Sequence, residues 1–243
     1  MERIYGGQDA EIETFPYQVS IQYFGVHQCG GSIISPNFVI TTAHTIETLV
    51  NSTMKKYLSV RAGTSYRTAG GTAHKVVKII PHEDFTTVSR NNKSSSELSI
   101  HDIALLQVEP PFVFDDTHQA VELFSENEIL KVGENGIITG WGLTEQNVQA
   151  EKLQAVGLPV LSRELCLQIY GKYTRLEGQF CSGLFSEGGK DACNGDSGGP
   201  FAIDGRLAGI IAWGVKDCGN PNFPGVYTNI PYYRKWIRKH ANV

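Results

Sequence analysis

Tyr17-Gln-Val-Ser-Ile-Gln-Tyr23 alternates apolar and polar side chains, so Tyr17, Val19, Ile21 and Tyr23 share one face of a β-strand. Outward from it, short runs of the same character recur. They are Phe38-Val-Ile-Thr-Thr42, Val76-Val-Lys-Ile-Ile80, Ile103-Ala-Leu-Leu-Gln-Val108, Ile137-Ile-Thr139, Gly157-Leu-Pro-Val160, Leu207-Ala-Gly-Ile-Ile211 and Gly225-Val-Tyr-Thr-Asn229. All are rich in β-branched residues and punctuated by Gly, Pro, Asn and Ser, the pattern of an all-β barrel or sandwich. Helical spacing is clear at the C-terminus, where Tyr233, Trp236, Ile237 and His240 recur at i, i+3, i+4 and i+7. Arg163–Tyr170 is a second, weaker helix candidate, and the polar stretch Ser89–Glu97 reads as a long exposed loop.

Composition narrows the class. The chain has 243 residues, enough to bury about two thirds of its unfolded surface. It is 41% hydrophobic and 19% charged, a globular balance. A net charge of −4 argues against a general binder of nucleic acid or anionic membranes. No apolar run approaches the ~20 residues of a membrane span, and the start lacks the features of a signal peptide. Five cysteines, Cys29, Cys166, Cys181, Cys193 and Cys218, lie too far apart for a tight metal motif. They suit either disulfides of a secreted protein or buried thiols. Asn51-Ser-Thr and Asn92-Lys-Ser are glycosylation sequons, which lean weakly toward secretion.

Three segments carry chemistry: Thr41-Thr-Ala-His44, His101-Asp-Ile-Ala-Leu-Leu106 and Asp191-Ala-Cys-Asn-Gly-Asp-Ser-Gly-Gly-Pro200. Singly they are a histidine after a strand, an aspartate before one, and a glycine-rich turn. Together, with Ile4-Tyr-Gly-Gly7, Cys29-Gly-Gly-Ser32, Gly140-Trp-Gly142, Trp213-Gly214 and Pro224-Gly-Val-Tyr-Thr228, they resemble the chymotrypsin/trypsin family of serine endopeptidases over essentially the whole chain from Ile4. The order His44, Asp102, Ser197 is that family's order. The chain is also loosely similar to mite digestive trypsins and their inactivated paralogues.

The resemblance implies two perpendicular six-stranded antiparallel β-barrels with a C-terminal helix and the active site in the cleft between them. Residues 1–3 are then a propeptide stub or leader, with barrels at about 4–116 and about 117–243. A serine hydroxyl needs a base, and His44 suits the role, held by Asp102 while Ser197 attacks. The N–H groups of Gly195 and Ser197 are expected to form the oxyanion hole. Asp191 is expected to floor the primary pocket and select Arg or Lys. Ala192 beside it, in place of a serine, favours bidentate Arg over Lys. Gly214 and Gly225 shape that pocket, and Trp213 with Tyr170 forms an apolar wall. Cleavage at Arg3-Ile4 is expected to free an ammonium that pairs with Asp196. Cys166–Cys181 and Cys193–Cys218 match two family disulfides. No cofactor and no metal are expected, since Gly63–Gly71 lacks the acidic ligands of the family's calcium loop.

Departures are visible as well. Cys29 is left unpaired, because its usual partner position holds Thr45. Ala212 stands where a serine usually donates to the triad aspartate. Val215-Lys-Asp217 makes a bulky pocket rim, and Tyr5 replaces a smaller residue next to the new N-terminus. These also fit a degenerate homologue that acts by binding protein partners, although His44, Asp102, Ser197, Gly195, Asp196 and Asp191 are all retained. The expectation is a secreted, monomeric endopeptidase cutting protein or peptide substrates after Arg, then Lys, and open to protein inhibitors, with no nucleic-acid or membrane partner. The Ser89–Ile100 loop is expected to border the cleft.

Overall fold

The computed structural model describes residues 4–49, 55–88, 98–170, 176–215 and 217–243. Arg3, Asn51, Asn92, the 89–97 part of the predicted loop and Lys216 therefore lie outside the described residues. The first half contains β1 (Gln8–Asp9), β2 (Gln18–Tyr23), β3 (Val26–Ser35), β4 (Phe38–Thr41), helix α1 (Ala43–Leu49), β5 (Leu58–Ala62) and β6 (Thr72–Pro81). β7 (Thr86–Val88), β8 (Leu98–Ile100) and β9 (Ala104–Glu109) follow. The second half contains β10 (Glu122–Leu123), β11 (Asn135–Gly140), β12 (Gln154–Pro159), α2 (Arg163–Tyr170), β13 (Gln179–Ser182) and β14 (Pro200–Ile203). β15 (Arg206–Trp213), β16 (Gly225–Asn229) and α3 (Ile230–Ala241) complete it.

The first barrel closes in the order β2-β3-β4-β9-β6-β5. The second runs β12-β11-β14-β15-β16-β13 and closes through an antiparallel bridge between Val160 and Ser182. Leu161 N–H donating to the Cys181 carbonyl (2.9 Å) and the Cys166–Cys181 disulfide reinforce that seam. β1 crosses over to pair with β12, and β10 adds in parallel to β15. The two ends of the chain thus tie the halves together: β1 reaches into the second barrel, while Tyr233 and Trp236 of α3 bond to His101 (3.0 Å) and Glu83 (2.7 Å) of the first half.

The alternation in β2 reads as one buried and one wet face, yet Gln18, Ser20 and Gln22 are also buried. The second half of the chain covers that polar face, and its groups are paired there. Gln18 accepts from Thr139 of β11 at 2.5 Å, and Ser20 meets His27 at 2.8 Å. A buried polar side chain is tolerated only with such partners. Two cores result. One fills the first barrel and the underside of α3 with Val19, Ile21, Val39, Leu105 and Trp236. The other fills the second barrel around Phe180, Phe201 and Tyr227, whose ring centroids lie 4.9–5.3 Å apart. Truncating the fully buried Phe201 to Ala should cost about 3–5 kcal/mol.

α2 and α3 cover the predicted helical stretches. α3 starts at Asn229 with Pro231 in its first turn and ends in a left-handed Asn242 whose N–H reaches the Arg238 carbonyl. Arg238, Lys239 and His240 in the last turn complement the helix dipole.

Candidate active site

His44 is the second residue of α1, directly after β4. The first N–H groups of a helix have no partner within it, and Asp102 takes the one from His44, with Oδ1 at 2.9 Å. Its Oδ2 lies 2.6 Å from His44 Nδ1. A carboxylate only accepts, so Nδ1 bears the proton and Nε2 is the basic nitrogen of the neutral ring. Asp102 is fully buried. It follows His101, whose φ of +53° is unusual for a residue with a Cβ. His101 is held there by stacking on His82, 4.8 Å between centroids, and by the Tyr233 hydroxyl. The Thr228 hydroxyl of β16 donates to the Asp102 main-chain oxygen at 2.8 Å, so the second barrel helps set the acid's position.

Ser197 sits on the loop before β14, locked against the first barrel by the Gly30 N–H donating to its carbonyl at 2.9 Å. Gly198 has φ +81°, and a Cβ there would come within 2.1 Å of Thr41 Oγ1, so this loop closes only with glycine. Gly195, at φ +98°, turns its carbonyl to His27 Nε2 at 3.0 Å. Among the described residues neither Gly195 N–H nor Ser197 N–H donates to a protein acceptor. Burial pushes the His27 imidazole down to about 4, so it is neutral and donates to that carbonyl from Nε2 while its other nitrogen faces Ser20.

His44 and Ser197 line one cavity of about 680 Å³ together with Asp191, Ala192, Trp213 and Gly214. Gly225 lines it as well, and a Cβ there would meet the Tyr227 ring at 3.1 Å and Asp191 Oδ1 at 3.3 Å, narrowing the floor. Asp191 accepts from Ala192 N–H at 2.8 Å and Gly219 N–H at 3.0 Å. Burial nevertheless outweighs those bonds and raises its carboxyl from 3.8 to about 7. Ionising it therefore costs about 4 kcal/mol more than in water. Asp196, fully buried, accepts from Gly142 N–H at 2.8 Å and Cys193 N–H at 2.9 Å. Its carboxyl is also pushed up to about 7, first by burial and in part by the charge of Asp191. Two buried carboxyls thus sit beside the Ser197 loop, and among the described residues neither forms an ion pair with a Lys, Arg or His side chain.

Other expected site residues are distributed differently. Tyr170 does not line the cavity: it is 3% exposed, its hydroxyl donates to the Pro224 carbonyl, and its ring edge supports Trp213 at 5.1 Å. The wall is therefore Trp213, backed by Tyr170. Asp217 points out of the rim to Asn220 at 3.0 Å, and Val215 is the rim residue that faces the cavity. Tyr5 pairs with Asp191 through its backbone and packs its ring against Gly219. Ile4 is fully buried in the second core. Cys193–Cys218 is bonded, and Cys29 is a buried free thiol. In place of calcium ligands, the Gly63–Gly71 segment is tied by Arg67, which bonds to Ala150 O at 3.0 Å and Glu151 at 3.2 Å. Among the described residues no group of three or more His, Cys, Asp or Glu is placed to hold a metal ion.

Glu47, Thr87 and Tyr227 line the cavity and went unrecognised in the sequence, as did the Ser20–His27 support of Gly195. Glu47 had a legible signal, being one helical turn beyond His44. His27 had none, because it lies in an ordinary strand.

Comparison with known proteins places this geometry. The trypsin family model matches residues 4–237. A vitellin-degrading protease of Bombyx mori is 36% identical over 237 residues, covering 97% of this chain and 84% of its own length. Trypsin eta of Drosophila melanogaster is 37% identical over 246 residues, covering 98% and 88%. The solved structure of neuropsin, a serine protease expressed in the limbic system of mouse brain, superposes with a TM-score of 0.81 at 32% identity, covering 97% of this chain and 98% of its own. A histidine bonded to a buried aspartate, a serine on a glycine-locked loop, two packed barrels and a family match across nearly the whole chain converge on one conclusion: this chain belongs to the trypsin family of serine proteases.

Proposed function

We propose that this serine protease is a secreted endopeptidase that cleaves after Arg, then Lys, and gains activity when Ile4 becomes the N-terminus. The observation that carries the specificity is Asp191, a buried carboxyl on the floor of the cavity shared by His44 and Ser197. An entering guanidinium supplies the charge partner that the empty pocket lacks. Arg is preferred because its planar fork reaches both carboxylate oxygens, whereas Ala192 offers no hydroxyl to help an ammonium.

His44 Nε2 takes the Ser197 proton as Oγ attacks the scissile carbonyl, and Asp102 stabilises the imidazolium. The Gly195 and Ser197 N–H groups receive the developing oxyanion. His44 then hands the proton to the leaving amine, and water repeats the sequence on the acyl-enzyme. Asp196 is the second buried carboxyl, and an α-ammonium freed at Ile4 is its natural partner, since Ile4 already lies in the neighbouring core. That pairing would hold the nucleophile loop in place. Secretion accords with two disulfides, and no helix among the described residues is long and apolar enough to cross a membrane. The enzyme acts as a monomer, and protein inhibitors that present Arg or Lys to Asp191 are its expected antagonists.

The test is to prepare protein beginning at Ile4 and compare matched Arg, Lys and Phe peptide substrates, counting active Ser197 with a fluorophosphonate. Stoichiometric labelling with Arg turnover above Lys and near-zero Phe is expected. Labelling with equal turnover of Phe would overturn the role of Asp191. No labelling of folded protein would overturn the catalytic reading and point to a partner-binding homologue.

A further inference from the structure

The residue after the base carries a hydroxyl that contacts the catalytic nitrogen. Thr45 Oγ1 lies 3.2 Å from His44 Nε2 and 2.7 Å from Thr42 Oγ1. The direction of these bonds follows from the aspartate. Nδ1–H donates to the Asp102 carboxylate, so in the neutral ring Nε2 is an acceptor and Thr45 must donate to it. Thr42 in turn donates to Thr45, and chained hydroxyls strengthen one another. Thr45 also lies within hydrogen-bonding reach of the Cys29 thiol, where a disulfide partner would have had no hydroxyl to offer.

We propose that Thr45 is a positioning residue that restrains His44, through a hydroxyl relay from Thr42 occupying the Nε2 lone pair that must accept the Ser197 proton. Each proton transfer from Ser197 to Nε2 requires the Thr45 O–H to give up that lone pair. The resting base is correspondingly weaker, because a donor on Nε2 stabilises the neutral ring against the imidazolium. Thr45 itself does not line the cleft, so substrate affinity is untouched. The inference rests on the reading of His44 as the general base.

The charged groups around His44 are Asp102 before β9, Glu47 on its own helix and, across the shared cavity, Asp191 from the second barrel. None is altered by substitutions at 45. A hydroxyl-to-nitrogen bond at this length, on a ring that is 29% exposed, corresponds to about a 2- to 5-fold effect.

The experiment uses the full domain beginning at Ile4, as wild type, Thr45→Val and Thr45→Ser. The His44 ring is followed by NMR titration, and steady-state kinetics are measured with an Arg peptide. Expected for Thr45→Val is a His44 titration midpoint about 0.3–0.7 pH units higher, kcat raised about 2- to 5-fold and KM unchanged. Thr45→Ser retains the hydroxyl and should match wild type, which also covers the case in which the valine variant folds poorly: a serine variant titrating like an unrelayed ring would overturn the relay. An unmoved midpoint in folded Thr45→Val would overturn the proposal outright. A moved midpoint in protein that does not turn over would keep the relay and refute the catalytic reading instead, so the two failures are distinguishable.

Discussion

Binding of a small amidinium such as benzamidine should depend steeply on pH, because the partner it needs is mostly uncharged below neutrality. The Asp191 carboxyl is raised to about 7 by burial against only two peptide N–H donors. An amidinium binds the ionised form, so affinity is full above that pH and falls as pH drops through it. At pH 8 about nine tenths of Asp191 is ionised and at pH 5 about one hundredth, a loss of roughly 100-fold, or about 3 kcal/mol. At pH 5 close to one proton should be released per ligand bound. Calorimetry on protein beginning at Ile4, in two buffers of different ionisation enthalpy, reads the affinity and the proton count together. Asp196 titrates in the same range but lies outside the cavity lining, so Asp191→Asn should abolish both tight binding and the pH slope. A wild-type Kd that stays flat from pH 5 to 8 would refute the argument that Asp191 is a desolvated carboxyl awaiting a cation.

Three further outcomes are expected. Ala212 is buried in the cleft lining at the position where relatives usually carry a serine that donates to the triad aspartate, so Ala212→Ser is expected to restore that donor and raise kcat about 10-fold at constant KM; an unchanged kcat would show that Asp102 needs no third donor. His27 falls from 6.5 to about 4 on folding, so the folded state binds fewer protons and stability rises with pH between those values. His27→Gln should therefore remove about 3 kcal/mol of the difference between urea unfolding at pH 4 and pH 7, measured in a Ser197→Ala background and as a difference from wild type, because Asp191 and Asp196 act in the opposite sense. Thr45→Cys should bond to Cys29, whose thiol the Thr45 hydroxyl already approaches, leaving no free thiol and adding about 3 kcal/mol to unfolding; a persistent two-thiol count would sink that geometry.

Much of the site was legible because its residues lie in short segments with local constraints. Gly198 must be glycine where its backbone runs against Thr41, and the Asp191–Pro200 stretch therefore carries its own signature. Other parts were invisible for physical reasons. β3 is not among the strand-like runs read from the sequence, and glycine is required within it: a Cβ on Gly30 would approach the Gly199 backbone to 2.8 Å where the Ser197 loop docks. The polar face of β2 looked solvent-facing, and its burial depends on Thr139, over a hundred residues away. Tyr170 was placed on the substrate wall, whereas packing put it behind Trp213.

The candidate catalytic residues, their order along the chain, the two disulfide pairs and the lone Cys29 were legible in the sequence by itself, since each is a matter of residue type within a local motif or its match to a known family. Tertiary structure decided the electrostatics. Desolvation is a property of the assembled environment, so only packing could raise Asp191 and Asp196 toward neutrality, make His27 a neutral clamp on Gly195, and bring the Thr45 hydroxyl to the nitrogen of His44.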